Sequence, residues 1–228
     1  MPSWLFFKQI YYRVNLIAAS ALARCEGRRH GGDAAVNKSE RQPMDLTGKL
    51  LIAMPDIGDP RFDQTLVYLC SHTDDGAMGL IVNKAATGVS LRDILDQLEI
   101  VIKDAPNGDI PVRFGGPVET QRGFVLHSSE YESSVSSLAV AEGFSMTATL
   151  DVLEDVAAGT GPEQFLIMLG YAGWGPGQLE AEIGENGWLT ADATHELIFD
   201  TIDGDKWVAA LKTLGVDPIV LSASAGHA

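Results

Sequence analysis

The sequence is short of cysteine and of long apolar runs. Its 228 residues include only two cysteines, Cys25 and Cys70, which are too few for the framework of bridges that stabilises small secreted domains. We therefore expect a reducing, cytoplasmic environment. No stretch approaches the roughly 20 apolar residues that a membrane-spanning helix needs, and this argues against a membrane protein.

Positive charge is also scarce, and its distribution is uneven. The chain has 16 lysines and arginines against 31 acidic residues. Residues 1–43 hold seven of the basic and three of the acidic groups, which leaves 9 basic and 28 acidic groups, a net charge of −19, in residues 44–228. Such a surface repels phosphate backbones, which bind proteins mainly through lysine and arginine. Direct nucleic-acid binding is therefore disfavoured, and the expected partner is another protein.

The first 43 residues differ in composition from the rest. Apolar stretches interrupted by basic residues precede a polar, glycine-rich stretch. Three interpretations are open: a secretory signal cleaved after Ala21-Leu22-Ala23, an acid-poor organellar presequence, or sequence upstream of a true start at Met44. In each case we expect a disordered or loosely helical extension that precedes one domain at residues 44–228.

The apolar patterns after residue 44 predict strands interspersed with short helices. Thr65–Cys70 and Met78–Val82, joined through an Asp-Asp-Gly turn, form the clearest β-hairpin. The predicted order is β-β-β-α-β-β-β-α-β-α-β-α, which lacks the regular βαβ alternation of a doubly wound sheet. The predicted fold class is therefore α+β, with antiparallel and mixed sheets bundled with a few short helices.

Two of the predicted helices have recognisable ends. Ser90–Leu98 carries Leu and Ile at helical spacing, and its first residue fits a capping box with Asp93. Asp151–Ala158 is predicted to begin with a second capping box, between its first residue and Glu154, and to stop at Gly159.

Three motifs carry a resemblance to a known family. They are Leu-Thr-Gly-Lys-Leu-Leu-Ile-Ala-Met-Pro at 46–55, Arg-Phe-Gly-Gly-Pro-Val at 113–118 and Gly-Tyr-Ala-Gly-Trp-Gly-Pro-Gly-Gln-Leu-Glu-Ala-Glu-Ile at 170–183. The chain resembles the YqgE/AlgH family of small bacterial proteins over essentially all of residues 44–228. The resemblance implies compact sheets of different sizes bundled with a few short helices. Because family members begin shortly before the first motif, it also favours a start at Met44.

No constellation of catalytic or metal-binding residues is recognisable. Cys70 and His72 are two apart on a predicted strand and should share a face, where a thiol beside an imidazole could form an activated nucleophile. A buried, inert cysteine with a surface histidine is the favoured interpretation. His72, His127 and His195 lack the spacing of metal ligands, and the glycines of Gly76–Gly79 lead into a strand, unlike those of a phosphate loop. We expect neither a cofactor, nor a metal, nor enzymatic activity.

Two turns are candidates for a binding surface, and each has a structural alternative. In Gly115-Gly116-Pro117 the glycines permit positive φ and close backbone approach, which suits either tight packing or a concavity for a small anion or peptide. The Trp174 ring lies among glycines and is either an internal anchor, which we favour, or a recognition platform. The candidate binding residues are His72, Asn83, Arg113, Gly115, Gly116, Pro117, His127, Trp174, Gln178 and Glu180.

The sequence thus predicts a non-enzymatic cytoplasmic protein that acts by binding. The resembled family includes AlgH, which is associated with regulation of alginate synthesis, and this implies an indirect role in transcriptional regulation. Because the acidic surface disfavours contact with DNA, we expect that role to act through a protein partner. The alternative is a small-ligand-binding protein or enzyme with a site where His72 and His127 approach the Gly115–Pro117 turn.

Overall fold

The computed structural model describes residues 45–55, 57–103, 110–219 and 221. The predicted extension at residues 1–43 and the predicted start at Met44 lie outside the described residues. The strands are β1 Lys49–Ala53, β2 Leu66–Thr73, β3 Gly76–Ile81, β4 Ala85–Ser90, β5 Pro111–Phe114, β6 Val118–Ser128, β7 Leu138–Ala141, β8 Phe144–Thr147, β9 Phe165–Trp174 and β10 Trp188–Asp192. The α-helices are α1 Leu91–Gln97, α2 Asp151–Ala158, α3 Gln178–Gly184 and α4 Asp203–Thr213, with a 3₁₀ turn at Pro60–Phe62 and a π-helical turn at Glu196–Asp200. None of these helices is long and apolar enough to cross a membrane.

In the described part of the chain, ten strands form a single curled sheet. Their order is β10-β1-β2-β3-β9-β6-β8-β7, with β5 beside β9 and β4 beside β5. All pairs are antiparallel except β5 with β9, which run parallel. The sheet curls far enough that the rings of Tyr68 on β2 and Phe144 on β8 lie 5.2 Å apart, although three strands separate them in the order. The α+β class with antiparallel and mixed pairing is confirmed.

The inner face of the curled sheet holds the largest apolar cluster. Alternate residues of the strands point into it, as with Leu50 and Ile52 on β1, because successive side chains of a strand face opposite sides. Helix α4 closes this interior with its apolar face, on which Trp207 and Leu211 are buried. The Trp207 indole N–H donates to the carbonyl of Ala53 at 2.9 Å, which ties the helix to the end of β1.

The outer face of the sheet is covered by two separate groups of helices. Helix α3 and the segment 57–62 cover one cluster, which includes Leu51, Val67 and Leu69. Helices α1 and α2 cover the other, as expected from the apolar spacing of both helices. The candidate site lies over the first of these clusters.

Cys70 and His72 do not share a face, contrary to the prediction. A β-bulge interrupts the register of β2 with β3 between Leu69 and Ser71, and an extra residue reverses the alternation of side chains. Cys70 therefore packs in the inner cluster, whereas His72 reaches Glu180 on the outer helix α3. Burial raises the pKa of the Cys70 thiol, which suits a structural cysteine.

The two predicted capping boxes have opposite outcomes. The box between Ser90 and Asp93 is confirmed, with the Asp93 carboxylate accepting the Ser90 backbone N–H at 2.8 Å. The box at the start of α2 is wrong, since its N-cap is Leu150 and no side chain caps the helix. The Asp151 carboxylate instead accepts hydrogen bonds from hydroxyl groups of Ser133 and other residues, which compete for it.

Candidate functional site

Two adjoining grooves share Arg61, and one of them lies beside the outer helix α3. The first, which we name the tryptophan groove, has a volume of about 390 Å³ and is lined by Ile57, Asp59, Arg61, Phe62, Pro117, Gly173, Trp174, Gln178, Glu182, Glu185, Gly187 and Trp188. The second, named the Lys84 groove, has a volume of about 420 Å³ and is lined by Pro60, Arg61, Lys84, Ala85, Ala86, Thr87 and Phe114. Both grooves are assembled from segments that are far apart in sequence.

The tryptophan groove exists because the chain turns sharply at the end of β9. Gly177 adopts a φ of +73°, a left-handed conformation that favours glycine, and it directs the chain into α3. The Gln178 side chain then accepts the Gly175 backbone N–H at 3.0 Å, which fixes the turn. The first turn of α3 is thereby held against the end of β9.

Glu182 organises the floor of the tryptophan groove. One of its carboxylate oxygens accepts the indole N–H of Trp174 at 2.9 Å and that of Trp188 at 2.8 Å. The other oxygen accepts the Gln178 amide at 2.9 Å. The two indole rings meet edge to face at 5.8 Å and are only 7% and 2% exposed, so they form a fixed floor and not a free platform.

The rim of the tryptophan groove is mostly acidic. Asp59 binds the Arg61 guanidinium through both oxygens, with a shortest distance of 2.6 Å, and it also accepts the Arg61 backbone N–H. These hydrogen bonds lower the pKa of Asp59. Counting Glu182 on the floor and the exposed Glu185, the groove is lined by three carboxylates and one guanidinium, and it has a net negative charge.

The Gly115–Pro117 turn is packed against β9. A Cβ on Gly115 would lie 2.2 Å from the Gly170 carbonyl oxygen, and one on Gly116 would lie 2.1 Å from the Tyr171 carbonyl carbon. Gly116 also has a φ of +151°. Close backbone approach therefore accounts for both glycines, while Pro117 contributes to the wall of the tryptophan groove.

Asn83 and Arg113 are occupied by contacts within the protein. The Asn83 amide accepts the Leu66 backbone N–H at 2.8 Å and donates to the Gln64 carbonyl at 2.9 Å. The Arg113 guanidinium contacts both oxygens of Asp203, on α4. Neither side chain lines either groove.

The structure does not bring His72 and His127 together. His127 pairs with Phe165 at the start of β9, whereas Ala77, the register partner of His72, pairs with Trp174 at its end. Nine residues of a strand span roughly 30 Å, so the two imidazoles do not share a cavity. The alternative site that joins both histidines to the Gly115–Pro117 turn is therefore not formed.

The hydrogen bonds of His72 and His127 show which ring nitrogen carries the proton in each. His72 Nδ1 accepts the Leu46 backbone N–H at 3.1 Å, so its Nε2 carries the proton and donates to Glu180 at 2.8 Å. His127 is fully buried, with Nδ1 donating to the Ser128 carbonyl and Nε2 accepting the Thr147 hydroxyl, each at 2.9 Å. Burial lowers the pKa of His127 and keeps it neutral. No group of three or more metal-ligating side chains occurs among the described residues.

Of the predicted binding residues, Pro117, Trp174 and Gln178 come together in the tryptophan groove. The sequence pattern also marks Lys84 as a possible surface contact and Glu182 as a neighbour of the aromatic turn, and both line a groove. Sequence reasoning missed other lining residues, including Asp59, Arg61 and Trp188. The one local signal was Asp59-Pro60-Arg61, an Asp followed by a Pro that starts a 3₁₀ turn. The partnership of Glu182 with two tryptophans has no sequence signature, because it depends on how β9, α3 and β10 fold together.

A family model and two bacterial relatives cover most of the domain. The AlgH-like family matches residues 50–219. A UPF0301 protein of Ruegeria pomeroyi is 62% identical over 185 residues, covering 81% of this chain and 100% of that protein. A UPF0301 protein of Cereibacter sphaeroides is 54% identical over 186 residues, with 81% and 100% of the two chains covered.

Two solved structures share the fold. The solution structure of the AlgH protein from Pseudomonas aeruginosa is 45% identical in sequence, with a TM-score of 0.66 over 85% of this chain and 100% of that one. A crystal structure of a protein from Corynebacterium diphtheriae has a TM-score of 0.61, with 82% and 92% of the two chains covered. At 16% identity, this second likeness extends to the fold alone.

Proposed function

The chain belongs to the AlgH-like family, and we propose that it is a non-enzymatic cytoplasmic protein that binds a protein partner through its tryptophan groove. Its regulatory effect would be indirect and carried by that partner. The observation that carries the proposal is the double hydrogen bond from Trp174 and Trp188 to Glu182, which fixes an aromatic floor beneath a polar rim.

The geometry of the groove supports a protein ligand. Binding is stronger when the receiving surface is already ordered, because less conformational freedom is lost on association. The floor is held by three hydrogen bonds to Glu182, while Asp59, Arg61 and Glu185 provide charges at the margin. Ile57, Phe62 and Pro117 add apolar lining that is not fully buried, and apolar surface bordered by polar groups is the usual arrangement of a protein interface.

The charge of the domain favours a protein over nucleic acid as that partner. Residues 44–228 carry a net charge of −19, and phosphate contacts need lysine and arginine in numbers. The tryptophan groove itself has more carboxylates than cations. A regulatory effect on gene expression would therefore pass through a partner protein.

Site-specific crosslinking followed by a binding measurement tests the proposal. A photoreactive amino acid at the exposed position 185 should crosslink one reproducible protein in cells. With that protein purified, Glu185→Lys should weaken binding by about tenfold, since it replaces a carboxylate that attracts basic groups of the partner with an ammonium that repels them. The control is Glu142→Lys, an exposed site on the turn between β7 and β8, which should bind as the wild type does. Equal weakening by both changes would refute a role for the groove.

A small molecule is the second candidate ligand. Both groove volumes, about 390 and 420 Å³, fall within the 300–1,000 Å³ that is typical of small-molecule sites. A thermal-shift screen against a metabolite panel separates the candidates, because a ligand that binds only the folded state raises the Tm with concentration. Saturable stabilisation by one metabolite would replace the protein-binding proposal with this one.

A further inference from the structure

Lys84 differs from the other cations of the domain. Five of the nine lysines and arginines in residues 45–221 form ion pairs, namely Lys49, Arg61, Arg113, Arg122 and Lys206. Three more, Arg92, Lys103 and Lys212, are exposed to solvent. Lys84 alone is half-buried without a carboxylate partner among the described residues. Although the domain has 28 acidic groups, none on a described residue forms an ion pair with Lys84.

The surroundings of Lys84 favour an anion that is part of a larger molecule. Phe114 and Pro60 give the Lys84 groove apolar walls, and the Arg61 guanidinium stands at the junction with the tryptophan groove. Because Arg61 is already paired with Asp59, we expect the anion to bind Lys84 directly, with the Arg61 guanidinium only adding positive charge nearby. An incoming carboxylate would gain a charge-assisted hydrogen bond to Lys84 at a partly desolvated position.

The same groove contains an open strand edge. Among the described residues, β4 pairs with β5 only, so its other edge has no strand beside it. The register with β5 shifts between Ala85 and Ser90, which is a bulge on the β5 side of β4. Ala85, Ala86 and Thr87 line the groove beside Lys84. Exposed strand edges bind extended peptides through their backbone groups, and this edge carries small side chains that leave room for one.

These two observations together identify an occupant. We infer that the Lys84 groove receives an acidic side chain from an extended segment of the protein partner, with the segment lying along β4 and its carboxylate paired with Lys84. The inference rests on the proposed function, and it names the chemistry of the partner. Since the grooves adjoin at Arg61, one segment can occupy both, with its acidic residue at the Lys84 end.

Defined peptide pools test the inference on the full-length protein. The pools are short, acetylated and amidated peptides of uncharged residues that differ only at one central position, which is Asp, Asn or Lys. Immobilised protein should retain the Asp pool about fivefold better than the Asn pool, the scale of a partly exposed ion pair, and should retain the Lys pool least. Lys84→Met should remove the preference, whereas Lys103→Met, an exposed control outside both grooves, should keep it.

Two further variants control for the possibility that Lys84→Met fails to fold. Lys84→Gln is the second neutral variant, and Lys84→Arg, which keeps the charge, should restore the Asp preference. Equal retention of the Asp and Asn pools by the wild type, or an Asp preference that persists in Lys84→Met, would overturn the inference. The two proposals can fail separately. If Glu185→Lys weakens partner binding but the wild type shows no preference for the Asp pool, this inference is wrong and the proposed function stands.

Small carboxylates distinguish a partner segment from a free metabolite. Acetate and phenylacetate are titrated into ¹⁵N-labelled protein while the amide signals of Lys84, Ala85 and Phe114 are followed by NMR. A response only at millimolar concentrations, or none, is expected because a lone carboxylate cannot use the strand edge. Saturation by phenylacetate at micromolar concentration would assign the site to a free carboxylate and overturn the partner segment.

Discussion

Trp174 shows how one side chain can be both a structural anchor and part of a binding groove. Its ring is buried while its indole N–H reaches Glu182 on the groove floor. Trp174→Ala should lower the free energy of unfolding by about 3–5 kcal/mol, because it removes a buried ring and leaves a cavity. Urea denaturation followed by circular dichroism measures this loss.

Trp174→Phe is the matched control, because it keeps an aromatic ring and removes the hydrogen bond to Glu182. Its expected cost is about 1–3 kcal/mol, the range for leaving a buried polar group without its partner. A Trp174→Ala protein with unchanged stability that no longer binds its partner would show that the ring is a recognition platform and not an anchor.

Two glycines near the groove should respond differently to the same substitution. Gly116→Ala should destabilise the protein strongly, since a Cβ there meets the Tyr171 backbone at 2.1 Å and the φ of +151° is unfavourable for alanine. Gly173→Ala should cost less, because its nearest obstacle is the movable ring of Tyr171 at 3.3 Å. Thermal melts of both variants give the comparison, and a larger loss for Gly173→Ala would contradict it.

At this scale the sequence reveals a residue's own conformational needs better than its distant contacts. The Gly-Gly-Pro motif predicts close backbone approach, and Gly115 and Gly116 show it. By contrast, nothing local to Glu182 indicates that it binds two indoles. Nothing near Lys84 in the sequence indicates that it has no ion-pair partner among the described residues. Those properties depend on which remote segments the fold brings together.

At the scale of elements, local signals succeed where local contacts decide the structure. The Ser90 capping box needs only residues within one helical turn, and it forms as predicted. The corresponding prediction for Asp151 fails because hydroxyl groups from the 133–134 loop compete for its carboxylate. The shared face of Cys70 and His72 fails because a bulge, set by pairing with β3, shifts the alternation.

His127 links β6 to β8 and makes the stability of this ladder sensitive to pH. Its folded-state pKa is lowered by burial, whereas in the unfolded chain it is about 6.5. The neutral imidazole therefore contributes stability that is fully present above about pH 6.5 and is lost as the pH falls below that value. The loss can reach about 1.4 kcal/mol per pH unit for one proton.

The pH dependence of the free energy of unfolding, compared between wild type and His127→Gln, tests this expectation. Between pH 7 and pH 5.5 the wild type should lose stability more steeply than the variant, whatever their difference at pH 7. All other side chains are the same in both proteins, so their contributions cancel in the comparison. Hydrogen bonds from Ser90 lower the pKa of Asp93, which moves it further from this interval. Equal slopes would show that folding leaves the pKa of His127 unchanged and would contradict the expectation.

At the scale of the whole molecule, fold class is more predictable than topology. The order of strands and helices after residue 44 predicts an α+β fold, and the structure has one. The parallel pairing of β5 with β9 and the approach of Tyr68 to Phe144 have no local sequence signal. Such pairings join residues far apart in the chain, so the apolar pattern fixes which side chains are buried but not which strands are neighbours.

The charge of the whole domain leads to a prediction about nucleic acid. Residues 44–228 carry 28 acidic and 9 basic groups, and five of the basic groups are already engaged in ion pairs. Duplex DNA binds proteins by exchanging its counter-ions for lysine and arginine, and few are left here for that exchange. At ~150 mM salt, random-sequence duplex should therefore show no mobility shift with micromolar protein.

The mobility-shift measurement is made with the full chain and with a chain that begins at Met44, since residues 1–43 carry seven of the 16 basic groups. A shift by the full chain alone would assign DNA contact to those residues and leave the domain as a protein-binding unit. Retardation by the Met44 chain that weakens steeply with salt would mean that phosphate contacts overcome a net charge of −19. That result would contradict the proposal of an indirect role, because the domain would then contact DNA itself, without a partner protein.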